Sequence, residues 1–176
     1  MTFQSYVCVD NWDRWHSIYS RYDSAGRKTW DIGAKNQAGY RVAKRYAYRA
    51  QDTQVYQTDI GTLTSPTSEN LAVFQTEVTT YNTRGLAVQR QVQVGEAIYK
   101  MEQTSYDTAN RPSCKATRMN PNRLATPPLS TCSLDSAGEF GEDRIVKYEY
   151  DSESRPTKTI SGYLTDAQGV DIELGY

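Results

Sequence analysis

Apolar and polar positions alternate with period two along most of the chain. Tyr40, Val42, Tyr46 and Tyr48 fall on one side of such a run, and Ala43, Arg45 and Arg49 on the other. That spacing predicts a strand. Val55 to Ile60 predicts a second. Thr62 to Asn70 is rich in Thr, Ser and Pro and reads as a polar loop. Strand pattern resumes over Leu71 to Tyr81. Leu86, Val88, Val92 and Val94 then alternate with Gln89, Gln91 and Gln93, the clearest half-buried strand in the chain. Gly95-Glu96 is a tight turn, and Ile98 to Tyr106 runs back to complete a meander. Ile145 to Tyr150 and Thr157 to Leu164 are further strands. No segment shows an apolar helical stripe with caps. The expected fold is all-β: antiparallel hairpin and meander repeats in a curved strip, one β region over residues 1–176.

The strands are punctuated by a recurring cassette. It reads Tyr22-Asp23-Ser24-Ala25-Gly26-Arg27, then Tyr81-Asn82-Thr83-Arg84-Gly85-Leu86. It returns as Tyr106-Asp107-Thr108-Ala109-Asn110-Arg111 and Tyr150-Asp151-Ser152-Glu153-Ser154-Arg155. Asp or Asn in the second position can bond the backbone two residues on. Gly three residues later supplies the left-handed conformation that closes a type I turn with a bulge. Substitutions among the copies keep that chemistry: Asn82 can make the same turn, and Asn110 tolerates positive φ. Ser154 is the weakest copy. The turn strings Asn36 to Gly39, Asp135 to Gly138 and Asp166 to Gly169 lack the Tyr. In a repeat protein a recurring residue belongs to the scaffold more often than to an active site.

Composition narrows the functional classes. A net charge of −1 gives no basic footprint for nucleic acid. No apolar run is long enough for a membrane helix, and Met1 to Ser5 is not a signal peptide. A mean hydropathy of −0.74 is poor in aliphatic core, which the 14 Tyr partly offset. Cys114 and Cys132 bracket a Pro-rich insertion at about 114–132, either as a bridge or as two free thiols. A bridge closing a loop of roughly 20 residues would contribute about 3 kcal/mol. Cys8, between Val7 and Val9, reads as a buried small hydrophobe. No Cys and His grouping suggests zinc, and no metal, cofactor or catalytic residue is expected. His16 beside Ser17 is an isolated histidine without a nucleophile motif. Trp12, Trp15 and Trp30 could form a glycan platform, Trp12 and Trp15 with Asp10, Asp13 and Arg14 beside them; the alternative is core rings with solvated charges. Glu139, Glu142 and Asp143 lack the ligand spacing of a calcium loop and read as a charged loop. Arg27, Arg111 and Arg155 are expected to bond or stack on tyrosines.

The Tyr-Asp-x-x-Gly-Arg cassettes, spaced by strands from about Tyr19 to Tyr163, resemble the YD repeats of RHS (rearrangement hotspot) proteins. These occur in bacterial polymorphic toxins, toxin-complex C subunits and teneurins. The stretch Cys114-Lys115-Ala116-Thr117-Arg118-Met119-Asn120-Pro121 up to Cys132 resembles a recurrent insertion in large secreted members. The resemblance implies a β-strip wound into a hollow shell around a toxin or closed by a plug, secreted or at the cell surface. Its other implied partners are the remainder of a larger polypeptide or further copies of the chain. The chain lacks the family's Asp-Pro-x-Gly core motif, so self-cleavage is assigned to no residue. Two other functions fit the sequence, a carbohydrate-binding or adhesion module using exposed Tyr and Trp, and a self-assembling β-repeat subunit. A strip of about ten strands leaves open edges that recruit other strands, so a piece of a larger chain or an edge-to-edge subunit is expected.

Overall fold

The computed structural model describes the backbone of residues 2–8, 15–49, 54–165 and 171–173, and side chains over 17–49 and 54–165. Its elements are β1 (Thr2–Cys8), β2 (Trp15–Tyr22), β3 (Lys28–Lys35), β4 (Arg41–Tyr48), β5 (Val55–Leu63) and β6 (Ala72–Tyr81). Then follow β7 (Ala87–Val94), β8 (Ala97–Tyr106), β9 (Pro112–Arg118), β10 (Arg144–Tyr150), β11 (Pro156–Ser161) and β12 (Asp171–Glu173). A 3-10 turn at Pro121–Arg123 is the one helical element among the described residues. The chain falls into two compact units, Met1–Val78 and Thr79–Tyr176. In the first, β1 to β6 pair antiparallel in chain order. In the second, β7 to β12 do the same. The fold is the all-β antiparallel meander that the period-two pattern predicts.

The hairpins are not flat ladders. The register slips at Arg21/Tyr22, Ala47/Tyr48, Ser105/Tyr106 and Glu149/Tyr150, in each case one step before a strand-ending tyrosine. Tyr22 pairs Lys28 while Arg21 pairs Trp30, so Thr29 is the extra residue. Ser113 and Thr157 occupy the same place in the later hairpins. A bulge of this kind bends the strand and increases its twist. The Ser or Thr two residues after the cassette arginine is thus part of the repeat, a signal that lay in the sequence and was not read from it.

The core of the first unit lies on one sheet face: Trp30, Ile32, Ala43 and Leu63, with Tyr19 and Leu71 packed against them. Ile32 stands opposite Ala43, and Ala43 opposite Gly61. This is the face of β4 that carries arginines. Val42, on the tyrosine-bearing face, is 55% exposed. Alternation locates the strand, but which face is covered depends on cations that stack. Arg21 lies 4.7 Å over the Trp30 ring, Arg45 lies 5.6 Å over it, and Arg41 lies 5.0 Å over Tyr19. Arg21 also holds the Thr62 to Asn70 loop against the sheet. It donates through Nε to Pro66 O at 3.0 Å and through Nη2 to Ser68 O at 2.8 Å, and pairs with Glu69.

In the second unit Met101, Cys114, Ala116 and Ile145 are buried on one face. Gln91, not a valine of β7, stands opposite the wholly buried Met101, and Val94 is exposed. The apolar face of β7 is therefore not the covered one. The β9–β10 connection, residues 119–143, covers this core. Cys114 bonds Cys132 with Cα atoms 5.5 Å apart. The insertion thus begins after β9, beyond the expected start at Cys114, which is itself a strand residue.

Arg118 is the hub of the insertion. Its guanidinium donates to Gln103 Oε1 at 2.7 Å, Ser133 O at 2.7 Å and Ser130 O at 3.0 Å. It pairs with Asp143 at 2.6 Å, both side chains 2% exposed. Asp143 also accepts from the backbone N–H of Met119 at 2.9 Å and of Asp135 at 3.0 Å. Asp143 is a buried structural acceptor, which corrects its reading as part of a charged loop. Asp135 to Gly138 is not a fifth copy of the turn either. Gly138 is required because a Cβ there would come within 2.7 Å of Asn120. Asn120 caps the 3-10 turn, accepting from Asn122 N, and donates through Nδ2 to Ser136 O at 3.0 Å.

Candidate functional site

Within the second unit the residues that recur are gathered along one end of the strands. In an antiparallel meander alternate connections lie at the same end. In the second unit the connections β6–β7, β8–β9 and β10–β11, all cassettes, therefore share an end opposite the Gly95 turn and the insertion.

Each cassette has the same internal wiring. Asp23 Oδ1 accepts from the N–H groups of Ala25 and Arg27, both at 2.9 Å. Asp107 and Asp151 accept at the same positions and the same distances. Asn82 does so for Arg84 and Leu86, at 3.0 Å each. A backbone pair closes each turn, as in Asp107 N to Arg111 O at 2.9 Å and Asn110 N to Asp107 O at 3.2 Å. The turn-closing residue is left-handed every time: φ is 77° at Gly26, 77° at Gly85, 65° at Asn110 and 68° at Ser154. Asn36 to Gly39 makes a related turn, with Gly39 at 89°. Asp166 to Gly169 lies outside the described residues.

Arginine completes the cassette. Arg27, Arg111 and Arg155 each place Nε 2.7 Å from the Oδ2 of their own turn aspartate. Backbone and side-chain bonds from Arg27 hold Asp23 below the usual carboxylate range, and those from Arg111 and Arg155 do the same for Asp107 and Asp151. Carboxylates so held are weaker bases than free ones.

The cassettes are also wired to their neighbours. Tyr106 Oη donates to Ala87 O at 3.0 Å, and Tyr150 Oη donates to Pro112 O at 3.1 Å. Both acceptors lie one residue past the preceding cassette. Tyr48 repeats the bond in the first unit, to Lys28 O at 2.6 Å. Arginines reach the other way. Arg27 stacks on Tyr48 at 4.7 Å and Arg111 on Tyr150 at 4.5 Å. Arg111 Nη1 also donates to Asp151 O at 3.3 Å and Ser154 Oγ at 3.1 Å, and Arg84 Nη1 to Asp107 O at 3.2 Å. Every such link joins one turn to the next on the same edge. The expected turn residues Tyr81 and Tyr106 end β6 and β8 on the edge of the second unit, and Tyr22 ends β2 ahead of its own cassette in the first.

Among the described residues the remaining candidates do not form a site. Trp30 is 4% exposed beneath two arginines, so it is a core ring and not a glycan contact. The side chains of Trp12, Trp15, His16 and Cys8 lie outside the described residues. No three His, Cys, Asp or Glu side chains converge among the described residues. The other acidic clusters are closed. Asp31 takes Lys28 at 2.9 Å, Ser20 at 3.2 Å and Tyr46 at 2.9 Å. Burial raises its pKa, but bonds from Lys28 and Tyr46 outweigh that and hold it low. Burial and the Asp31 bond push Tyr46 upward. Asp59 likewise serves Arg45, Gln57 and Thr76.

The fold and its edge define a class, an antiparallel β-meander whose turns interlock. No protein-family profile matches the sequence, and no curated protein does. Among solved structures the chain is similar to the crystal structure of TcdB2-TccC3-Cdc42, with a TM-score of 0.61 and 14% identity. It is also similar to TcdB2-TccC3 without its hypervariable C-terminal region, with a TM-score of 0.57 and 13% identity. These matches cover 96% and 97% of this chain but 8% of each of those chains. At such identity the likeness is one of fold, to a small segment of a much longer polypeptide.

Proposed function

We propose that this chain is a scaffold segment of a larger RHS/YD-repeat polypeptide, secreted or at the cell surface, forming wall that encloses or presents a toxin or effector. Its work is mechanical rather than catalytic. The observation that carries this reading is the interlocked edge, where each cassette closes its own turn and successive cassettes of the second unit grip one another. Such nearest-neighbour wiring is how a repeat array spreads stability along its length. The likeness to a short stretch of the TcdB2-TccC3 chains supports it, as does the disulfide, which suits an oxidising compartment. Electron cryomicroscopy of the native polypeptide tests it. A hollow β-walled particle with protein density inside is expected. A solid globular domain, or an extended fibre without a lumen, would overturn the reading.

A further inference from the structure

The second unit has an open sheet face as well as a covered one. Cross-strand register puts Arg90, Glu102, Thr117 and Arg144 in one row across β7, β8, β9 and β10. Thr104, Lys115 and Val146 form the next row. These residues line a cavity of about 440 Å³, walled at one end by the rings of Tyr106 and Tyr148. Its charges are unbalanced. Glu102 is already paired with Lys100 at 2.8 Å. Lys115 sits 5.9 Å over the Tyr148 ring. Arg90 and Arg144 are exposed, and neither has a hydrogen-bond or ion-pair partner among the described residues. This contrasts with the wired arginines of the cassette edge. Three strand spacings, about 14 Å, separate their backbones.

We propose that this cavity binds a short acidic oligosaccharide. The two free guanidiniums provide forked donors for a carboxylate or sulfate. The tyrosine rings give apolar walls with polar tips, and Thr104 and Thr117 can bond ring hydroxyls. An acidic peptide fits less well, because β8, β9 and β10 beneath are each paired on both sides. A peptide lying over this floor would find no free ladder groups for its own N–H and C=O. The inference goes beyond the scaffold reading and does not depend on it.

Calorimetric titration of the 176-residue chain tests the site. The probes are a heparin-derived hexasaccharide (sulfated), hexagalacturonate (carboxylated only), cellohexaose (neutral) and hexaglutamate (an acidic peptide). Binding of one or both acidic sugars is expected, weakening with added salt, with none to cellohexaose. Which acidic sugar binds distinguishes sulfate from carboxylate. The variants Arg90→Gln and Arg144→Gln, whose side chains hold nothing in place, should each lose about tenfold in affinity. A control pair on the first unit, Lys35→Gln with Lys44→Gln, should retain it, and circular dichroism should be unchanged in all variants. Absence of sugar binding, equal binding of cellohexaose or hexaglutamate, or an equal loss in the control pair would each overturn the proposal.

Discussion

Asp143→Asn is the most informative single change in the second unit. The wild-type carboxylate accepts from Arg118 at 2.6 Å, Met119 N at 2.9 Å and Asp135 N at 3.0 Å, with both charged side chains 2% exposed. Asparagine preserves the volume, but its one amide oxygen replaces only one carboxylate oxygen: at Oδ1 it keeps the Met119 donor, and at Oδ2 it keeps the Arg118 and Asp135 donors. Either way an amide N–H is turned toward another donor, and the buried guanidinium loses its counter-charge. Breaking a buried pair on one side typically costs about 3–5 kcal/mol. In a chain of this size that corresponds to a fall in melting temperature of about 6–20 °C. The assay is thermal and urea denaturation together with limited proteolysis of residues 119–143. If the insertion detaches locally, cleavage there rises before the sheet melts. Replacing both partners, Arg118→Met with Asp143→Leu, should recover part of the loss, because it removes the unpaired charge. A change under about 1 kcal/mol in Asp143→Asn, with no new cleavage, would refute the hub assignment.

Three further outcomes follow from the same geometry. Gly85→Val should destabilise by about 1 kcal/mol or more in urea denaturation, since a β-branched residue resists a positive φ. Removing the Cys114–Cys132 bond by a double alanine replacement should cost about 3 kcal/mol and expose the insertion to protease. The turn aspartates carry folded pKa values below their ordinary 3.8, so their contribution is present above that value and is lost as pH falls through the folded values. Melting temperature should therefore drop more steeply with acid in the wild type than in Asp107→Asn, which keeps the turn as Asn82 does.

What could be read from the sequence was local. Turn chemistry depends on residues within five positions, so the cassettes and most strand positions from Tyr40 onward follow from the residues alone. Burial depends on partners far along the chain. Val42 and Ala43 show the consequence: the valine faces solvent and the alanine faces the core, because Arg41 and Arg45 share the covered side. Gln91 is set opposite Met101 by register, which no single strand specifies. Asp143 looked like its exposed neighbours Glu139 and Glu142 and is set apart only by Arg118, 25 positions away. That Arg27 and Arg111 stack on tyrosines was legible, but which tyrosine each meets was not, since these links run between hairpins. One signal was available and was passed over, the Ser or Thr that follows each Asp cassette at Thr29, Ser113 and Thr157.

The central claim is that the cassettes hold one another along the edge, and amide hydrogen exchange on Tyr106→Phe and Tyr150→Phe tests it most directly. Each change deletes one hydroxyl and nothing else. The account predicts that Tyr106→Phe loosens the preceding turn, residues 82–87, as well as its own, and that Tyr150→Phe loosens residues 107–112. The Gly95 turn at the opposite end should keep its protection in both. Loss confined to the mutated turn, or spread evenly over the whole chain, would contradict an edge built from neighbour-to-neighbour links.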